Sequence, residues 1–106
     1  MKPYTYVLVR DDIPPVQKAV QIAHAALHAG FAFDEPADIS SIVLCTVPDE
    51  AALQDAAARL ARHGVEHRMF YEPDFGPMGH SALASRPITR RKERFLFKDY
   101  PKLEMA

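Results

Sequence analysis

The residues of this chain best suited to chemistry lie in the run from Gln17 to His28, where Gln17, Gln21, His24 and His28 recur at helical spacing. At about 100° per residue they fall within an arc of roughly 60°, so two carboxamides and two imidazoles share one helix face. An imidazole moves protons near neutral pH, and a carboxamide both donates and accepts hydrogen bonds. Such a stripe suits the orientation of a polar substrate and a proton transfer. Val16, Val20, Ala23 and Leu27 line a different face, and Ile22, Ala26 and Ala29 extend the apolar surface. Apolar residues on most sides predict a largely buried helix, with a narrow polar stripe in which every group needs a partner. The plainer alternative is a His and a Gln satisfied by backbone groups.

Other reactive residue types are sparse. Cys45 lies inside the apolar run Ile42 to Val47 and reads as a small buried hydrophobe, because a nucleophilic Cys needs access and a lowered pKa. His24 and His28, and again His63 and His67, have helical metal-ligand spacing. The second pair straddles Gly64 and neither has an obvious third ligand, so no metal and no cofactor are expected. The one concentrated positive charge is the run from Arg86 to Arg94. Arg90, Arg91 and Lys92 within it would contact an RNA backbone, or else form a solvated helix face. Phe95, Phe97 and Tyr100 would pin that helix to a sheet.

The elements that must position these residues follow from pattern. Tyr4 to Arg10 is β-branched and aromatic and predicts an opening strand. Pro14 and Pro15 are tolerated at a helix start, and the helix should run from Pro15 to His28 and stop near Gly30. Phe31 to Ser41 reads as a loop. Ile42 to Val47 has the continuous apolar character of a strand buried on both faces. Asp49 is an N-cap, with Glu50 in the first turn, for an Ala-rich helix ending near His63 and Gly64. Val65 to Tyr71 predicts a third strand, Glu72 to Gly79 a long loop, and Ser81 to Ser85 a short fourth strand. Thr89 would cap a final helix from Arg90 to about Lys98, leaving Lys98 to Ala106 as a tail or last extended segment. The order β-α-β-α-β-β-α predicts one α/β domain over residues 1–106: three layers, with a four-stranded mixed sheet and helices on both faces.

The 106 residues suffice for one modest core. Hydrophobic residues make up 48% and charged residues 25%, an ordinary globular composition. With a net charge of −1 and a pI near 6.5, any contact with a polyanion must come from a local patch. The single Cys cannot form an internal disulfide. The opening residues lack a signal-peptide apolar core, and no run approaches the ~18 residues of a membrane span. A soluble, cytoplasmic protein with no membrane partner is the expectation.

Val-Leu-Val-Arg-Asp-Asp followed by Ala-Val-Gln-Ile-Ala-His-Ala-Ala resembles the first strand and helix of the type 2 peptidyl-tRNA hydrolase family. There a strand ends in Val-Arg-x-Asp-Leu and the helix carries Lys-x-x-x-Gln-x-x-His-Ala. Arg10, Asp12, Gln21 and His24 stand at matching positions. The second strand and the acidic start of its following helix are similar too. Asp74-Phe-Gly76 looks like the family's Asp-Ala-Gly turn, and Ser81 stands where the family's last strand opens with Thr. The resemblance spans roughly residues 4 to 88. Two departures stand out: Pro14-Pro15-Val16-Gln17-Lys18 replaces a Gly-Lys-Gly-Lys run, and the family's helical Lys falls on Gln17, with Lys18 about 100° away.

The resemblance implies metal-free hydrolysis of the ester joining a peptide to the tRNA 3′ ribose. Such a reaction needs an oriented water, a proton acceptor and donors for the developing oxyanion. On that reading Asp74 is the base or orients the water, Ser81 is a nearby donor, and His24 is a proton shuttle or orienting partner. Gln21 binds substrate through its amide. Gln17, Lys18 and Asp12 complete the substrate contacts, with Lys18 turning in toward a phosphate. The alternative is a non-catalytic member of the fold that binds RNA, a nucleotide or a protein, with a homodimer among the possible assemblies.

Overall fold

In a computed structural model that describes residues 2–74 and 76–104, apart from the Pro77 side chain, Tyr4–Arg10 forms the first strand, β1. It is followed by α1 (Pro15–Ala32), β2 (Ser41–Val47), α2 (Glu50–Arg62), β3 (His67–Glu72), β4 (Gly79–Ser85) and a short α3 (Arg91–Arg94). The sheet order is β2-β1-β4-β3, with β1 parallel to β2 and antiparallel to β4, and β3 antiparallel to β4. This is the mixed four-stranded sheet that the sequence predicts. Alternation along β1 divides the core in two. Val7 and Val9 meet Ala25 and Ala29 of α1 on one face. Tyr6 and Leu8 meet Leu53 and Leu60 of α2 and Phe97 on the other. No helix among the described residues is long and apolar enough to cross a membrane.

Helix α2 has both of its expected ends. The Asp49 carboxylate accepts from Ala52 N at 2.9 Å, a standard N-cap. At the other end Gly64, with φ +72°, closes a Schellman motif: Gly64 N donates to Ala61 O and Val65 N to Leu60 O. That turn takes Val65 into the core, so β3 begins at His67 rather than at Val65.

Helix α1 departs from expectation in length and in orientation. It runs past Gly30 to Ala32, because Phe33 docks on the α1-side core and its N–H still bonds to Ala29 O. The residues it turns inward are Gln21, Ala25 and Ala29, while Val16 and Leu27 are 74% and 56% exposed. The apolar stripe therefore faces out and the carboxamide faces in. Size explains this: small Ala25 and Ala29 let the helix lie close on Ala82 and Ala84 of β4.

Three further expectations are corrected. Strand β2 is an edge strand starting at Ser41, and Ile42 is 62% exposed, so it is not buried on both faces. Only its second half is covered, where Thr46 N donates to Pro101 O and Leu103 N to Leu44 O; the tail is thus partly an extended segment. Thr89 caps nothing: Ile88 is held extended by two bonds to Tyr4, and the helix starts after Arg90. That helix gives way to a 3₁₀ turn at Phe95–Phe97, which lets Phe97 stack on Tyr6 at 4.1 Å. Cys45 is fully buried, and burial pushes its thiol pKa up.

Candidate functional site

The start of α1, the end of β1 and the β3–β4 connection meet at one corner of the molecule. Gln21 is the centre of this corner and is fully buried. Its Nε2 donates to Glu72 Oε1 at 2.7 Å and, more weakly, to Gln17 Oε1 at 3.3 Å. Its Oε1 accepts from the Ser81 hydroxyl at 2.5 Å. Glu72 is 3% exposed, and its second oxygen accepts from the backbone N–H of Asp74 at 3.0 Å. No Lys or Arg pairs with Glu72 among the described residues. Its pKa nonetheless lies below the ordinary carboxylate value, held down first by the Gln21 amide, then by the Asp74 N–H, with His24 adding a smaller attraction.

A β-bulge assembles this network. Between Phe70 and Tyr71 the register slips, so that Phe70 faces Ala82 while Tyr71 faces His80. The extra residue is Ser81. By strict alternation it would share the α2 face with Leu83. The bulge instead turns it to the α1 face beside Ala82, within reach of Gln21. His80 is carried by the same bulge to the α2 face, where its backbone N–H donates to Glu50 Oε2 at 2.8 Å. Gly79, at φ +64°, lies so close to that carboxylate that a Cβ there would overlap it.

His24, one turn beyond Gln21, is exposed and stacks face to face on Phe70, with ring centroids 4.4 Å apart and planes 2° apart. Asp74 is also exposed. Phe75, in the middle of the Asp-Phe-Gly turn, lies outside the described residues. At the mouth of the corner the remaining polar residues are paired. Asp12 makes a two-pronged bond to Arg10, both contacts at 2.9 Å, and Arg10 also reaches the carbonyl of Met78. Lys18 pairs with Asp11 at 2.6 Å.

The structure thus brings Gln17, Gln21, Ser81 and the Asp74 backbone together, with His24 beside them, but it reassigns several roles. Ser81 is fully buried and its proton is engaged by Gln21, so its hydroxyl is not presented as a donor to a substrate. Gln21 has both ends of its amide occupied and acts as a clamp rather than a substrate contact. Asp12 and Lys18 are held in ion pairs. His28 is exposed one turn further along. Sequence reasoning missed Glu72, reading it as the first residue of a loop. The available signal was parity: Phe70 and Glu72 point to the same side of β3, so a strand that buries one buries the other. No group of three or more potential metal ligands forms among the described residues. Arg90, just before α3, and Arg91 and Lys92 on it are exposed, on the opposite face of the sheet from α1.

No family model matches the chain, and no curated protein matches it. Among solved structures, a protein of unknown function from Agrobacterium tumefaciens C58 shares the fold, with a TM-score of 0.65 at 16% identity. The match covers 98% of this chain and 99% of that one. At that identity the likeness concerns the fold alone.

Proposed function

We infer that the chain is an ester hydrolase acting on the bond between a peptide, or a blocked amino acid, and the tRNA 3′ end. The observation that carries this reading is His24, an accessible imidazole stacked on Phe70 at 4.4 Å and near Glu72. In such a site His24 takes the proton of an attacking water, and the exposed Asp74 carboxylate orients that water. Gln17, half-buried and two turns before His24 on the same helix face, offers an amide N–H to the substrate. The Arg10, Asp12, Gln21 and His24 pattern supports the tRNA ester as substrate class. The test is release of peptide from N-blocked aminoacyl-tRNA by the pure protein. Hydrolysis that falls at least about a hundredfold in both His24→Ala and Asp74→Asn is expected. A folded wild type that leaves the ester intact overturns the reading.

One observation favours a second reading, a binding module that keeps the fold without the reaction. Ser81 and Gln21, matched to the family pattern, are closed on each other. On this reading tRNA or another partner binds without turnover, and His24→Ala changes neither binding nor ester stability.

A further inference from the structure

Charge is unevenly divided along this chain. Residues 86 to 102 hold seven of its thirteen Lys and Arg residues against two acids, Glu93 and Asp99, leaving six bases and twelve acids elsewhere. Glu93 is spent on Arg86, at 2.8 Å. Among the described residues none of Arg91, Arg94, Lys98 and Lys102 takes part in an ion pair. These four cations line one groove of about 640 Å³, together with Tyr6 and Phe95. A second groove of about 610 Å³ adjoins it across Arg91 and carries Arg90, Lys92 and His63.

The aromatic groups in this region are held in two ways. Arg94 lies over the Tyr4 ring at 3.7 Å and its Nε donates to the Tyr6 hydroxyl at 3.3 Å, so its cation is oriented without a carboxylate. Phe95, by contrast, is 59% exposed, with Lys98 Nζ 4.2 Å from its ring centre on one side. We propose that this groove binds single-stranded nucleic acid, its phosphates on Arg91, Arg94, Lys98 and Lys102 and a base stacked on Phe95. Single-strand sites combine a cationic track with an open ring face, and a duplex keeps its base faces stacked inside. An anionic membrane would instead call for a protruding apolar face, whereas one Phe beside a concavity suits a base. The groove lies on the sheet face opposite α1, and the proposal stands whether or not the ester is cleaved.

Binding of fluorescein-labelled oligo(U) and oligo(dT) of about ten nucleotides, followed by anisotropy, tests the proposal on the whole protein. Neutralising four phosphates predicts an affinity loss of about fiftyfold between about 50 and 200 mM salt. Lys98→Gln with Lys102→Gln should weaken binding and flatten that dependence. Phe95→Ala should weaken it between about fivefold and a hundredfold with the salt dependence unchanged, and Phe95→Trp should restore it. Three results overturn the proposal: no binding by the folded protein at low salt, equal binding by Phe95→Ala, or sedimentation with phosphatidylserine vesicles without oligonucleotide binding.

Discussion

The Ser81 hydroxyl donates to the buried Gln21 Oε1 at 2.5 Å, joining a strand bulge to the helix that carries His24. This bond fixes which face of β4 Ser81 occupies, and through Gln21 it fixes Glu72. A buried amide with one partner removed keeps an unsatisfied oxygen. Ser81→Ala should therefore lower stability by about 1–3 kcal/mol, read as a shift of the urea midpoint. Gln21→Leu should be more damaging, because it strips partners from Ser81 and Glu72 together. A Ser81→Ala protein as stable as wild type would mean that this bond clamps nothing.

Acid should reach the fold chiefly through its two buried carboxylates, the Asp12 carboxylate paired with Arg10 being exposed. Glu72 and Glu93 both have pKa values below their ordinary 4.5, Glu72 first through the Gln21 amide and Glu93 first through the Arg86 guanidinium. A folded-state pKa below the unfolded one gives stability that is present above the unfolded value and is lost as pH falls through the folded one. Denaturant midpoints should hold level from neutrality down to about pH 5 and then fall. Glu72→Gln and Glu93→Gln should each flatten that fall while lowering stability at pH 7.

Phe70 orients His24 without touching the reacting atoms. If ester hydrolysis runs as inferred, Phe70→Leu keeps the apolar contact but loses the planar platform. It should lower kcat by about ten- to a hundredfold while KM stays near wild type. A change confined to KM would mean that the ring holds substrate instead.

Gly79 holds a conformation, φ +64°, that L side chains adopt at a penalty, and Glu50 fills the space beside it. Gly79→Ala should destabilise by about 1–2 kcal/mol from the backbone alone. Glu50 would swing aside and lose its bond to His80 N–H. In a Glu50→Ala background the same substitution should therefore do less harm, which a double-mutant cycle measures.

The Cys45 thiol is sealed in the core with its pKa raised by burial. A thiol-specific reagent should leave it unmodified in the native protein and titrate one group per chain in denaturant. Prompt modification without unfolding would mean that the β2 edge opens at the Pro101–Leu103 segment that covers it.

Strand and helix order was legible because each element carries a local signal: aromatic and β-branched residues in β1, Asp49 before α2, Gly64 after it. What was not legible depended on contacts between elements. The inward face of α1 was chosen by Ala25 and Ala29 against Ala82 and Ala84, a matter of close approach rather than hydrophobicity. For the candidate site, periodicity placed Gln21 and His24 on one stripe, yet one became core and the other surface. Residues three apart on a helix differ by about 60° in direction, enough to separate them at the edge of a sheet. The bulge at Ser81 left no mark in the sequence, since it arises from the pairing of β3 with β4.

The concentration of bases between residues 86 and 102 also gives the molecule a permanent dipole that its net charge of −1 conceals. Titration reports the sum of charges, whereas a charged surface reports the pole nearest to it. At pH values above its pI of about 6.5 the protein as a whole is an anion, yet a sulfonate resin should still retain it by that pole. Landing on such a flat charged surface in one preferred orientation, it would leave the opposite layer, with α1 and His24, turned to solvent.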